Sequence, residues 1–427
     1  MTLKKTPQHV RIFAGLAAGA GLGLAARALW GGSPGLAWAV ANVAQPMGQV
    51  FLRVVFMAVV PLVVAALVLG VTEIGEAGKV GRIGLRTLIL TLVLSSIAVL
   101  IGVFAVNWVR PGVGLPEESR QRLIASFQGQ GSVQASLDNA AKAKPAVQSL
   151  LELIPKNPIA EAVNAFEGGL IPLMVFSLVL GLALSLIPEE KSRPLKELLG
   201  SVLAAMLKVI DFAMWLAPFG VGGLIFSVTA MAGLEVLGLL AKYFFLVIGA
   251  LAFHLLVVYS AAVWFLARRS PLRFFRDISG VLVTAFATSS SSATLPVTLK
   301  ASEENLKIPR PIGNFVLTIG ATANQNGTAL YEGITVLFLA QFFGVPLTLS
   351  QQALVVVWSV MAGVGTAGVP GGSLPLIVIV LQSIGVPGEA IGIILGVDRI
   401  LDMSRTVLNV AGDLTIAACV AEWEKKG

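Results

Sequence analysis

GVDRILDMSRTVLNVAGD, residues 396–413, sets five polar groups along one side of an otherwise apolar stretch. Asp398, Asp402, Arg405, Asn409 and Asp413 stand at i, i+4, i+7, i+11 and i+15. At about 100° per residue they fall within an arc of roughly 80° on a helix. IGIILGV before the row and LTIAACVA after it are apolar enough for a membrane helix. A charge at the bilayer centre costs about 2.5–3.5 kcal/mol on insertion scales, so such a row must face a cavity, an ion or its own members. The stretch therefore reads as a membrane helix walling a site for something polar. Mutual ion pairing with no ligand is the bland alternative.

The whole chain agrees with a membrane setting. Hydrophobic residues are 56% of its 427 residues and charged residues 12%, where a soluble domain carries about 25% charged. The first apolar stretch, Ile12 to Trp30, is long and lacks a small-x-small cleavage site, so it reads as a first span and not a signal peptide. The single cysteine, Cys419, excludes disulfide frameworks and cysteine metal sites, and two histidines, His9 and His254, make no metal cluster. A net charge of +7 would suit nucleic acid, but the basic residues gather at the ends of apolar segments, where they signal topology.

Apolar segments run over about 9–30, 42–71, 78–109, 160–188, 196–229, 234–267, 311–342 and 389–421, which predicts an all-α polytopic membrane protein with eight transmembrane helices. Counted alternately, the basic clusters all fall on one side: Lys4, Lys5 and Arg11; Lys79, Arg82 and Arg86; Lys191, Arg193 and Lys196; Arg268 to Arg276; Lys300 to Arg310; Lys425 and Lys426. That side is cytoplasmic by the positive-inside rule, giving a multi-pass plasma (inner) membrane protein with both termini inside.

Two segments do not behave as spans. Residues 272–306 have charges at both ends and a polar break at Ser289–Ser292; residues 349–385 flank GVGTAGVPGG, residues 363–372. Arms of about 12–15 residues are too short to cross, so both read as re-entrant hairpins with tips at membrane depth. Helix ends there offer N–H groups to anions and carbonyls to cations. A third break, Gly320–Thr328 within the seventh span, strings Asn324, Gln325, Asn326 and Gly327 together, poor helix material that frees carbonyls and amide oxygens. Residues 113–157 read as an external loop.

Each signal has a plainer reading. A serine run can be a linker, the glycine-rich tip an ordinary turn, Asn324 a packing hydrogen bond, Glu332 a snorkelling group and Tyr331 a packing residue. A serine hydrolase would need a positioned base beside Ser289–Ser292, and His254 is the lone intramembrane histidine. A channel would explain the breaks, yet Asp402 and Arg405 in one site suit a zwitterion better than conduction.

SSSSATLP, NQNGTALYEG, GTAGVPGG and DRILDMSRTVLNVAGD, in this order and spacing, resemble the glutamate transporter family, the dicarboxylate/amino acid:cation symporters. The resemblance covers nearly the whole chain and is strongest over 280–415. It implies a homotrimer working as an elevator. Residues 1–77 and 113–230 would form the scaffold, from spans 1, 2, 4 and 5. Residues 78–112 and 231–427 would form the transport domain, with both hairpins.

Carried over by motif, Asp402 would hold a substrate ammonium. Asn409 would hold the α-carboxylate with Ser291, at the Ser289–Ser290–Ser291 tip. Arg405 and Thr328, with Thr406 beside them, would hold a side-chain carboxylate, and Val369 and Ser373 would close the second hairpin. The chemistry agrees, because a plain dicarboxylate would leave Asp402 unpaired and a neutral amino acid would strand Arg405. Aspartate or glutamate is the expected substrate, with a dicarboxylate or neutral amino-acid carrier as the competing reading.

The coupling ion is where the chain departs from the resemblance. Sodium-coupled members place methionine and aspartate where Gln325 and Asn326 stand, and the third-span partners, usually a tyrosine and a Thr–Ser pair, are Thr91, Leu94 and Ser95. That cation site is weakened at Asn326. A second site, Asp413 with carbonyls of Gly320, Asn324 and Asn409, keeps its carboxylate. A third would use carbonyls near Thr322, Gly363, Val364 and Thr366. Glu332 stands where proton-carrying members have a glutamate. Protons are thus expected as coupling ions, with fewer sodium ions than the full complement and no other cofactor. The arginine that relatives place in the first hairpin or beside the substrate aspartate is replaced by Ser289 and Met403.

Overall fold

In hydrocarbon the backbone must satisfy its own polar groups, and a chain of apolar runs does so as helices. The computed structural model describes residues 8–79, 81–118, 120–121, 154–165, 170–365 and 373–425, and their regular elements are all helical. The first half comprises α1 (Gln8–Trp30), the short α2 (Pro34–Ala39), α3 (Gln45–Lys79), α4 (Arg82–Val109), α5 (Pro158–Val163), α6 (Leu170–Leu186) and α7 (Glu189–Ala232). Next, α8 (Leu234–Phe253) runs through a π-helical turn at His254–Val258 into α9 (Tyr259–Phe265). The remainder is α10 (Pro271–Thr288), α11 (Ser291–Glu304), α12 (Arg310–Ala323), α13 (Asn326–Phe343), α14 (Leu349–Gly365), α15 (Leu374–Ser383) and α16 (Leu395–Glu424).

Among the described residues, four helical runs are long and apolar enough to cross a membrane: Val10–Trp30, Pro34–Thr72, Arg82–Val109 and Leu234–Phe265. The two parts of α7, bent by 52° between Ala213 and Trp215, make a fifth if taken as one span. The other expected spans differ for local reasons. The apolar segment 160–188 yields a helix of only 17 residues, α6. The seventh is split into α12 and α13, and α16, though 30 residues long, carries the polar row.

α7 packs on α1 and α3, and α3 on α6. The α1–α7 seam is built on small residues four apart: Gly15 faces the Pro218 carbonyl, Gly19 that of Gly222, and Gly23 that of Phe226. A Cβ at any of the three would strike backbone, and at Gly23 the Thr229 hydroxyl as well, so the two helices approach closely, as small-xxx-small spacing allows. In the second half α13 packs on α4, α14 and α16, while α16 takes α10, α11 and α12 against it. Nearly every residue of α13 is buried, so it forms the centre of this half.

The segment 272–306 breaks where expected. Ser289 ends α10 in the left-handed region (φ 52°), and Ser290 caps α11, its Oγ accepting from the Ala293 N–H at 3.2 Å. The two arms, 18 and 14 residues, pack on each other. In the second segment α14 and α15, 17 and 10 residues, flank a tip at 366–372 that lies outside the described residues, as do most of 113–157.

Candidate substrate and ion site

The polar row of α16 is buried, with Asp398, Asp402, Arg405, Asn409 and Asp413 each 5% exposed or less. Arg405 donates through Nε and Nη2 to Asp402 Oδ1 at 3.0 and 2.7 Å. Its Nη1 lies 3.8 Å from Asp398 Oδ1 and has no hydrogen-bond partner. The ring of Tyr331 sits 4.4 Å from the guanidinium carbon, and the Tyr331 hydroxyl donates to Asp398 Oδ1 at 2.6 Å. From one turn earlier, Arg399 Nη1 donates to Asp402 Oδ2 at 3.3 Å. Two carboxylates and two guanidiniums thus offset one another, so the mutual pairing held open above is part of this arrangement.

It does not account for everything. Buried polar atoms nearly always find partners, so those left over mark places where a ligand could supply one. Arg405 Nη1, Ser289 Oγ, Ser291 Oγ and Ser373 Oγ are all buried with no hydrogen-bond partner. These atoms come from three elements named above for substrate: α16 and the two hairpins. Ser290 differs, since its hydroxyl caps α11. Thr406 Oγ1 is turned to the Asp402 carbonyl at 2.8 Å. Val369 and Thr366 lie outside the described residues.

The break in the seventh span is held by amides. Asn409 Oδ1 accepts from the Gly327 N–H at 2.7 Å and the Thr328 N–H at 3.4 Å, satisfying free N–H groups at the start of α13. Its Nδ2 donates to Gln325 Oε1 at 2.5 Å and Thr328 Oγ1 at 3.3 Å. Gln325 Nε2 donates to the Ala321 carbonyl at 3.0 Å, and the Gln325 N–H to the Gly363 carbonyl at 3.1 Å. Asn409 and Thr328, expected on a substrate carboxylate, are therefore bound to each other and to this break.

Asp413 accepts from Asn324 Nδ2 at 2.7 Å and, among the described residues, pairs with no cationic side chain. Asn324 Oδ1 is buried without a partner. Gly320 lies against the Asp413 carboxylate, where a Cβ would collide with it. A carboxylate beside an amide with an idle oxygen supplies oxygens of the kind hard cations choose. Thr322, named for the third site, turns Oγ1 to the Ile319 carbonyl at 3.0 Å.

Asn326 sits in a different environment. Its Oδ1 accepts from Ser95 Oγ, and its Nδ2 donates at 2.8 Å to the Tyr259 hydroxyl, which donates at 3.2 Å to the Leu408 carbonyl. Thr91 and Leu94 are buried on the same helix as Ser95. A neutral relay thus stands where a carboxylate would face a cation. Glu332 is fully buried with neither carboxylate oxygen hydrogen-bonded. A charge left there without a partner would carry a large desolvation cost, which a bound proton removes.

Three participants escaped the sequence reading. Arg399 was visible three residues before Asp402, within helical reach. Tyr331 was noted as packing, though its hydroxyl serves Asp398. Tyr259, 67 residues from Asn326, gave no local signal.

Broken helices around a buried charged row, in a chain with several helices long and apolar enough to cross a membrane, fit a polytopic membrane transporter. The chain belongs to the sodium:dicarboxylate symporter family, whose model matches residues 9–423. It is similar to the proton/sodium-glutamate symport protein of Bacillus subtilis, at 34% identity covering 97% of this chain and 92% of that one. Similarity to the proton/glutamate-aspartate symporter of Escherichia coli is also 34%, over 91% and 87%. Mouse excitatory amino acid transporter 3 is 31% identical, over 89% and 79%.

Proposed function

We propose that the chain is a secondary active symporter importing aspartate and glutamate across the cell membrane, coupled to cations, chiefly protons. The observation that carries this is the pairing of Asp402 with Arg405 beside unpartnered polar atoms on both hairpins. A substrate with one ammonium and two carboxylates can replace each ion pair it breaks, and a molecule lacking either charge cannot. The glutamate and aspartate in the relatives' names support the same substrate class. Glu332 is the proposed proton carrier.

In this reading Asp402 receives the ammonium, Arg405 the side-chain carboxylate, and Asn409 with Ser291 the α-carboxylate after the amides of the break rearrange. The chain works as a homotrimer with both termini inside. Residues 1–77 and 113–230 form its fixed scaffold, while 78–112 and 231–427 move as an elevator. The chain is a carrier and performs no chemical conversion.

A sodium ion at Asp413 is a second reading, favoured by the carboxylate and the idle Asn324 oxygen. Uptake of radiolabelled L-aspartate and L-glutamate into proteoliposomes tests both. Accumulation under an inward proton gradient without sodium is expected. Strict dependence on a sodium gradient at symmetric pH would overturn proton coupling and leave the transporter assignment standing, whereas no uptake in either condition would remove that too.

A further inference from the structure

Asp402 carries two guanidiniums in the structure, and one of them is surplus to the substrate chemistry. Arg405 holds Oδ1; Arg399 reaches Oδ2 at 3.3 Å, with side-chain exposures of 11% for Arg399 and 5% for Asp402. Arg399 Nε is buried without a hydrogen-bond partner. We propose that Arg399 is a positioning residue for transport: an internal counter-charge that Asp402 exchanges for the substrate's ammonium, and that occupies Asp402 whenever the site is empty.

The argument is one of charge. Without substrate, Asp398 and Asp402 face Arg405 and Arg399, two negative charges against two positive ones. Remove Arg399 and the empty cluster of Asp398, Asp402 and Arg405 has a net negative charge in a setting where an unpaired ion is strongly disfavoured. A carrier that accumulates substrate must carry its empty site back across the membrane, and a buried uncompensated carboxylate raises the barrier to that step. With Arg399 in place, the substrate row needs no ion of its own on the return. When substrate is bound, its ammonium replaces Arg399 on Oδ2, so loaded movement does not depend on Arg399.

This rests on the acidic amino-acid reading and is tested by separating net uptake from exchange. Purified full-length protein is reconstituted in liposomes. Net uptake of labelled L-aspartate into empty vesicles requires the empty return, whereas exchange into vesicles loaded with unlabelled L-aspartate does not. For Arg399→Gln the expected result is net uptake lowered about tenfold, with exchange kept within about twofold of the parent. Arg399→Lys, which keeps a cation, retains both. Equal loss of net uptake and exchange in Arg399→Gln would make Arg399 merely structural and overturn the proposal; so would no change in either. A parent protein that neither accumulates nor exchanges L-aspartate overturns the functional reading beneath it, and the proposal falls with it.

Discussion

Tyr331 and Asp398 are joined at 2.6 Å, the phenolic hydroxyl donating to Oδ1, while the same tyrosine ring lies 4.4 Å from the Arg405 guanidinium carbon. One side chain thus sets both the carboxylate and the cation of the row. Tyr331→Phe leaves the ring and deprives Asp398 of its donor, an unmet need of about 1–3 kcal/mol, so a KM raised about tenfold is expected. Tyr331→Leu also removes the ring from the guanidinium and should raise KM further. Saturation curves for L-aspartate exchange measure both; equal curves for Phe and Leu would mean the ring contributes nothing.

Neighbouring serines of the first tip should fail in different ways. Ser290→Ala removes a helix cap and is expected to lower thermal stability by about 1 kcal/mol, with modest change in KM. Ser291→Ala removes a hydroxyl that has no partner within the protein, so stability should hold while KM rises. Thermal melts in detergent beside uptake curves separate the two.

Asn326→Asp places a carboxylate between Ser95 and Tyr259. In sodium-free buffer the buried charge has no counter-ion, and the variant should melt below the parent. Sodium that binds the folded form alone adds stability as the logarithm of one plus its concentration over Kd, so the melting temperature should climb with sodium more steeply than the parent's. Parallel titrations would refute this.

Glu332→Gln replaces the unpartnered carboxyl with a neutral group that cannot carry a proton. Uptake driven by an inward proton gradient should be lost, and exchange without gradients retained. Unchanged proton-driven uptake would remove Glu332 as the carrier.

Much of this site could be read in the chain because its signals are local. The α16 row follows from helical periodicity, and the breaks at Ser289–Ser290 and Asn324–Gln325 from residues that do not sustain a helix in hydrocarbon. What could not be read are the partners brought together by packing. Asn409 was assigned to substrate by motif, yet its amide is spent on Gly327, Thr328 and Gln325, because the start of α13 falls beside α16. Asn326 reads in sequence as a weakened cation ligand; only the fold brings Ser95 and Tyr259, from two other helices, to the two ends of its amide. Of the eight apolar segments, those at 311–342 and 389–421 carry the polar groups of the site, and among the described residues they are not uninterrupted apolar runs.

At the α1–α7 seam Gly15, Gly19 and Gly23 lie on the carbonyls of Pro218, Gly222 and Phe226, and the side chain pressed on Gly23, Thr229, is pinned by its own bond to the Ile225 carbonyl at 2.7 Å. Two helices touching chiefly through main chain have little freedom in their spacing, because few side chains in the contact can be repacked to absorb a push. Such a joint is a ruler rather than a spring: labels across it should report the same separation with and without L-aspartate, while on the elevator reading proposed above the separation from α1 to α16 should change.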